Sequence, residues 1–229
     1  MDKCAIRDAA TMIVLRDRAS DPRVLMGQRG ARAAFMPSKF VFPGGAVDAA
    51  DSDVPFGRPL ARPCADRLAE DSRCPAAGLA AAAIRELWEE TGQQIGRPGA
   101  WPDAPPGWRG FAATGHLPDA APLHFVFRAV TPPGRPRRFD ARFFLAEAEA
   151  LTTNPDDFSR AEDELSGLRW VRLAEARALD LPFITEVVLA EVAAGLDRPG
   201  KPAHVPFFRN DDERHLITQL GGNSPLDRV

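Results

Sequence analysis

The sequence predicts an α/β (α+β) fold in which helices flank a mixed sheet, and three observations predict it. Apolar, β-branched runs come first, followed by one long helical stretch, further strands and a second helix, an order that favours helices on a sheet over a bundle or a sandwich. The composition, 45% hydrophobic and 27% charged over 229 residues, is ordinary for a globular chain and suits one domain of generous size. No repeat at solenoid periods interrupts that reading. Residues 1–229 are therefore expected to form a single domain, with an insertion at about 46–75 and a C-terminal helix and tail at about 180–229.

Ala9 to Leu15 (AATMIVL) has the β-branched, apolar character of a strand. Asp21-Pro22 marks a turn, and Arg23 to Met26 completes a hairpin. Phe35 to Phe42 (FMPSKFVF) is expected as a third strand, stopping at Pro43-Gly44-Gly45, where the backbone must turn or approach something closely. Ala46 to Pro75 is dense in Asp, Pro, Arg and small residues and predicts an inserted loop with one helical turn near Ala65 to Ala69. Ala76 to Thr91 is the strongest helix: alanine-rich, free of proline, and followed by Gly92 at the C′ position. Gly96 to Pro122 is rich in Pro and Gly, with Trp101, Trp108 and Phe111 expected to pin it to the body. Leu123 to Val130 and Phe139 to Ala146 are strands joined by the basic, proline-rich Thr131 to Arg138. A short strand at Leu168 to Val171, a helical Leu173 to Ala178 and a helix over Thr185 to Leu196, with Thr185 as N-cap, complete the chain.

Several function classes are disfavoured. A net charge of −3 gives no basic field for a nucleic-acid backbone, so no nucleic-acid partner is expected. No run of about 18 apolar residues exists, so no membrane partner is expected. Met1 to Asp8 has no apolar core of a secretory signal, and the expectation is a cytoplasmic protein. Cys4, Cys64 and Cys74 are odd in number and lack metal-ligand pairing, as do His116, His124, His204 and His215.

The informative residues are Arg85-Glu86-Leu87-Trp88-Glu89-Glu90-Thr91-Gly92. At about 100° per residue, with Glu86 at zero, Glu90 falls near +40° and Glu89 near −60°, so three carboxylates share one face. Neighbours three or four apart sit about 5–6 Å from each other. At 6 Å each pair repels by roughly 0.7 kcal/mol in water and nearly 3 kcal/mol at an effective dielectric of 20. The helix dipole at this end adds to the cost. Arg85 relieves part of it, but one cation cannot neutralise three anions. Hard divalent cations that prefer oxygen ligands can.

The Nudix box reads G-x5-E-x7-R-E-U-x-E-E-x-G-U, where U is aliphatic. Arg85 to Gly92 matches its second half position for position, and Phe42-Pro43-Gly44-Gly45 matches the usual entry to its first half. On these residues the chain resembles the Nudix hydrolase family. It departs from the box in three ways. Gly45 to Arg85 spans 40 positions where the box has 14, an insertion of about 26 residues. Counted back from Arg85, the first Glu falls at Ala77 and is absent, and the final aliphatic position is Gln93. A narrower likeness, carried by Phe35-Met36-Pro37, Val41 to Asp51, Thr131-Pro132-Pro133 and Arg137 to Phe144, is to the branch of peroxisomal acyl-CoA diphosphatases and their bacterial relatives.

The resemblance implies a Nudix-type α/β/α sandwich with a long insertion inside the box. It implies hydrolysis, with Mg²⁺ or Mn²⁺, of a nucleoside diphosphate linked to another moiety, so the expected partner is a small-molecule diphosphate; a homodimer is compatible with it. Glu86, Glu89, Glu90 and the Gly44 carbonyl are the implied metal ligands. Glu86 or a loop carboxylate would deprotonate water, and Arg85 would orient the glutamates. Family members commonly add a late-loop glutamate, for which Glu164 is the first choice and Glu162 the second. Arg135, Arg137, Arg138 and Arg142 beside Phe139 offer bidentate contacts to a phosphate such as that of coenzyme A, or form a solvated hairpin turn. Arg29 loosely echoes a CoA-pyrophosphatase marker. The chain has no tyrosine, so the tyrosine mark of dinucleoside-polyphosphate hydrolases is absent. CoA or acyl-CoA is the leading substrate, with ADP-ribose or another nucleotide-sugar or dinucleotide as the alternative. A non-catalytic Nudix ligand sensor is the alternative of another class, against which the intact glutamates argue.

Overall fold

A computed structural model describes residues 5–198, 202–209 and 216–220; Cys4 and His215 lie outside the described residues. Strand β1 (Ile6–Arg16) is the spine of the sheet. Ala10, Met12 and Val14 face one core while Ile13 and Leu15 face the other, because successive side chains of a strand point to opposite faces. β2 (Arg23–Arg29) returns antiparallel, pairing Val24 with Leu15. The chain then crosses from one strand to the other. β3 (Phe40–Val41) pairs with Gln28 and Gly27 of β2, and β4 (Gly44–Ala46) pairs with Thr11, Ala10 and Ala9 of β1. Between them the Pro43 carbonyl accepts the Met12 N–H at 2.8 Å. The strand expected over Phe35 to Phe42 shrinks to two residues. Met36 and Ser38, on either side of Pro37, have φ of 51° and 61°, a left-handed conformation that breaks an extended run.

The insertion is more ordered than the expected loop. It holds a 3₁₀ turn at Ala49–Asp53 and the two-turn helix α1 (Arg62–Ala69), which buries Cys64 and Leu68. Helix α2 (Ala76–Thr91) has its expected bounds, and Gly92 ends it at φ 70° while donating to the Trp88 carbonyl at 2.8 Å. Ala80 to Ala83 are fully buried, so small side chains let this helix lie close on the sheet. A hairpin that the Pro/Gly-rich composition concealed follows, β5 (Gly96–Pro98) with β6 (His116–Pro118), enclosing the short α3 (Arg109–Ala112). Trp108 and Phe111 are fully buried, and Trp101 stacks on Trp108 with centroids 5.6 Å apart.

β7 (His124–Val130) and β8 (Arg138–Glu147) form a long antiparallel hairpin, and β8 runs parallel to β1 from Ile6–Arg138 to Leu15–Glu147. β9 (Leu165–Arg172) pairs with β2. The helix expected over Leu173 to Ala178 is a single 3₁₀ turn at Ala176–Ala178. Helix α4 (Phe183–Ala194) starts after Pro182, so Thr185 lies inside its first turn and is not the cap. β10 (Val205–Arg209) and β11 (Leu216–Leu220) extend the sheet beyond β7. Its order is β11-β10-β7-β8-β1-β2-β3, mixed in direction. The α2 core lies on one face and the α4 core, with Val188, Leu189 and Val192, on the other, giving an α/β/α sandwich. Among the described residues no helix is long and apolar enough to cross a membrane.

Buried arginines tie the insertion to the sheet. Arg128 of β7 pairs with Asp140 at 2.7 Å and donates to the carbonyls of Glu70 and Asp71 at 2.9 and 2.8 Å. Arg142, expected to face a substrate phosphate, is 1% exposed; it donates to Asp8, the Asp140 carbonyl and Ser72 Oγ. It therefore braces the start of β1 and β8 from inside. Replacing Arg128→Met should cost about 3 kcal/mol, because it strips two carbonyls of their donor and leaves the half-buried Asp140 with Arg142 alone. A urea unfolding midpoint checks this, and a loss below about 1 kcal/mol would show that the insertion does not depend on the anchor.

Candidate active site

Glu86, Glu89 and Glu90 leave the last turns of α2 beside the crossing segment Pro43 to Ala46, and two glycines permit this approach. A Cβ on Gly45 would lie 2.4 Å from the Glu86 carboxyl carbon, so a side chain there would displace that carboxylate from its present place. A Cβ on Gly44 would lie 2.6 Å from the Ala10 carbonyl and 2.7 Å from Thr11 Cα, so glycine there admits the β1 backbone. The Gly44 N–H donates to Glu90 Oε2 at 2.7 Å. The sharp turn predicted from sequence is thus a seat for the helix end.

Arg85 organises the cluster. Its Nε and Nη2 each meet Asp51 at 3.0 Å, Nη1 donates to Glu86 at 2.8 Å and to Glu89 at 2.9 Å, and Nη2 reaches the Ala46 carbonyl at 2.9 Å. Asp51 is fully buried and also accepts from Trp108 Nε1 at 3.1 Å and from the Asp48 N–H at 2.8 Å. This corrects the reading that the first glutamate of the box is missing. Counted forward from Gly45, the G-x5-E position is Asp51, and the surplus residues fall after it. Counting back from Arg85 ran through the insertion and reached Ala77, which has no such role. Asp51 and Trp108 are the residues that sequence reasoning missed, and forward counting was the available signal for Asp51.

Burial sets the electrostatics. It pushes the Glu86 carboxyl up to about 7 against the opposing pull of Arg85, with Glu89 and Glu164 adding to the rise. Glu90, 2% exposed, is raised well above the ordinary carboxylate range by burial and then by Glu86, with the Gly44 N–H opposing. Glu89 is raised by burial and lowered by Arg85, with a net rise. Burial would discharge Arg85, but its bond to Asp51 and the charges of Glu86, Asp51 and Glu89 outweigh that and raise it. Glu90 Oε1 is buried and has no hydrogen-bond partner, which normally costs about 1–3 kcal/mol. Among the described residues no three His, Cys, Asp or Glu side chains converge on a common point as they stand. The donors at hand are nonetheless carboxylate and carbonyl oxygens, the set that suits a hard divalent cation, and the orphaned Glu90 oxygen fits that need.

The late loop also arrives here. The Glu162 N–H donates to the Glu89 carbonyl at 2.8 Å, and Arg29 Nη2 pairs with Glu164 Oε1 at 2.9 Å. Arg29, Glu164 and the α2 glutamates are thus neighbours. Arg137 is exposed on the β7–β8 turn, while Arg138 and Phe139 begin β8. That turn lies at the Ile6 end of β1, whereas Gly44 and Gly45 pair near its middle. The ring of Phe35 bridges part of the interval, meeting Phe139 edge-on at 5.2 Å.

A family model described as the NUDIX domain matches residues 74–192. The chain is 29% identical to the acyl-coenzyme A diphosphatase NUDT19 of Gallus gallus, over 68% of this chain and 55% of that one, so it spans about half the length of that curated relative. Among solved structures it is similar to a NUDIX hydrolase from Alicyclobacillus acidocaldarius, with 30% identity and a TM-score of 0.63, covering 84% of this chain and 96% of that chain. It also shares its fold with the NUDIX domain of Shewanella oneidensis NrtR, solved with ADP ribose, at 12% identity and a TM-score of 0.50, covering 84% and 89%.

Two outcomes follow from this geometry. Asp51→Ala should destabilise by about 3–5 kcal/mol, because it leaves the Arg85 charge buried without its main partner; denaturant unfolding measures it. The second concerns pH. Carboxyls whose folded pKa lies above the unfolded value of 4.5 favour the fold while protonated. Their contribution is complete below about 4.5 and fades as pH rises through about 7. In EDTA, Tm should fall by several degrees between pH 5 and pH 8, and Glu86→Gln should flatten that fall. An unchanged slope in the variant would show that Glu86 does not titrate in this window.

Proposed function

As the chain belongs to the Nudix family, we propose that it hydrolyses a diphosphate linkage in a small nucleotide-containing molecule, as one domain over residues 1–229. The observation that carries this is the glutamate cluster itself: three carboxylates on one helix end, one arginine shared by Glu86 and Glu89, and a buried oxygen of Glu90 without a partner among the described residues. A protein has little reason to keep such a cluster unless something positive joins it. Glu86, Glu89, Glu90 and the Gly44 carbonyl would hold Mg²⁺ or Mn²⁺, which supplies charge neutralisation at the diphosphate oxygens and lowers the pKa of water. The roles of the side chains follow. Arg85, fastened by Asp51, holds Glu86 and Glu89 in place. Glu164, on the loop at the cluster's mouth, accepts the proton from the attacking water. Arg29, beside it, together with Arg137, Arg138 and Phe139 on the hairpin, contacts the substrate, and Arg142 braces that hairpin from within.

For the substrate we propose CoA or an acyl-CoA, in a cytoplasmic setting. The support is the similarity to an acyl-CoA diphosphatase and the meeting of Phe35 with Phe139, which lie in two of the four segments on which the branch likeness rests. The hydrolysis would break the central P–O–P linkage, adding water across it. A mass-resolved product assay with Mg²⁺ and with Mn²⁺, over CoA, acyl-CoA, ADP-ribose, NADH and sugar nucleotides, tests it. Phosphopantetheine with 3′,5′-ADP from CoA is the expected result, and Glu90→Gln should lower that turnover by orders of magnitude. AMP from ADP-ribose alone would overturn the substrate assignment and keep the chemistry. Silence across the panel, with ligand still bound, would point to a sensor.

A further inference from the structure

The box ends on an aliphatic residue, and this chain places Gln93 there. Gln93 is fully buried, a costly position for an amide unless its groups are satisfied. They are satisfied by one loop. Nε2 donates to the carbonyls of Asn154 and Asp157 at 3.2 and 2.8 Å, and Oε1 accepts from Thr153 Oγ1 at 2.7 Å. Gln94 adds to the attachment: its N–H donates to Thr153 Oγ1 at 3.2 Å and its carbonyl accepts the Thr152 N–H at 2.8 Å. An aliphatic side chain would fill the same space but could not fix the register of the backbone that it touches.

The loop continues to the glutamates at the cluster. Phe158 packs against the α2 core, the Ala161 N–H donates to the Phe158 carbonyl at 3.1 Å, and the Glu162 N–H caps the Glu89 carbonyl at 2.8 Å. Leu165 then enters the sheet opposite Arg29, whose guanidinium holds Glu164. Glu164 is therefore held between an attachment to α2 and an attachment to β2, and the first of these begins at Gln93. We propose that Gln93 is a positioning residue: it fastens the Asn154–Asp157 stretch to the end of α2 so that Glu164 stays at the carboxylate cluster for the hydrolytic step. This rests on the function proposed above.

Gln93→Met keeps the volume and removes the hydrogen bonds; Thr153→Val loosens the other end of the same contact and serves if the first variant does not fold. Each should lower kcat about tenfold, less than the roughly 10²–10⁴-fold that a positioned general base contributes in full, while KM moves by less than about threefold. Amide exchange at Glu162 should quicken in step. Adding Glu164→Gln to either variant should slow it no further than Glu164→Gln alone, because both act through one group. Unchanged exchange at Glu162, or losses that multiply in the double variant, would overturn the proposal. So would a Glu164→Gln enzyme with full kcat. A wild-type protein that hydrolyses no diphosphate would overturn the functional reading instead, and exchange at Glu162 would still judge the clamp.

Discussion

The buried pair between Arg85 and Asp51 is the interaction on which the rest of the site depends. A guanidinium taken out of water is expensive unless each of its donors is met, and here the acceptors come from three parts of the chain: the turn of Asp51, the Ala46 carbonyl of β4 and two glutamates of α2 itself. The pair consequently locks the end of the helix onto the glycine crossing. Trp108 closes the remaining side by donating to the same carboxylate, which ties an irregular, proline-rich segment to the cluster. Arg85 is thus the hub of the cluster.

That hub neutralises only part of the charge it gathers. Glu86 and Glu89 share its Nη1, and Glu90 receives a backbone N–H and nothing else. Burial lifts all three carboxyls, so the cluster in isolation prefers protons to negative charge. A divalent cation bound there, as proposed above, would compete for the same oxygens and reverse that preference, since a nearby positive charge favours the ionised form. On that proposal, the cost of the unmet carboxylates in the folded protein would be relieved by its ligand, the exchange expected where stability gives way to function.

Much of this was legible in the sequence. The 3.6-residue period placed the three glutamates on one face, and the alanine run with Gly92 gave α2 its bounds, because local propensity and burial agree there. The Pro43-Gly44-Gly45 turn announced a close approach, which the Glu86 carboxylate and the β1 backbone supply. What failed did so for physical reasons. Left-handed φ at Met36 and Ser38 is not visible as an apolar pattern, so the third strand looked longer than it is. β5 and β6 are three residues each and, Leu117 apart, made of Gly, Pro and polar groups, so no period marks them. Arg142 read as a surface arginine because two of its partners, Asp8 and Ser72, lie 134 and 70 residues away, beyond any local rule. Asp51 was hidden because counting back from Arg85 runs through the insertion, whereas counting forward from Gly45 stops short of it.

The insertion itself fits the same account. Lengthening a surface loop costs little entropy, about 0.6 kcal/mol per doubling, provided that both ends remain where the fold needs them. Asp51 fixes one end by its bond to Arg85. At the other, the carbonyls of Glu70 and Asp71 are taken by Arg128 of β7, only a few residues before α2 begins. Between those anchors, α1 buries Cys64 and Leu68 in the core that α2 already forms, so part of the entropic cost is offset by apolar burial. The box is consequently divided in sequence but joined in space. Its acidic residue still reaches its arginine, and the inserted residues are tied to β7 through the Glu70 and Asp71 carbonyls and to the end of β6 through Gly57 and Arg58.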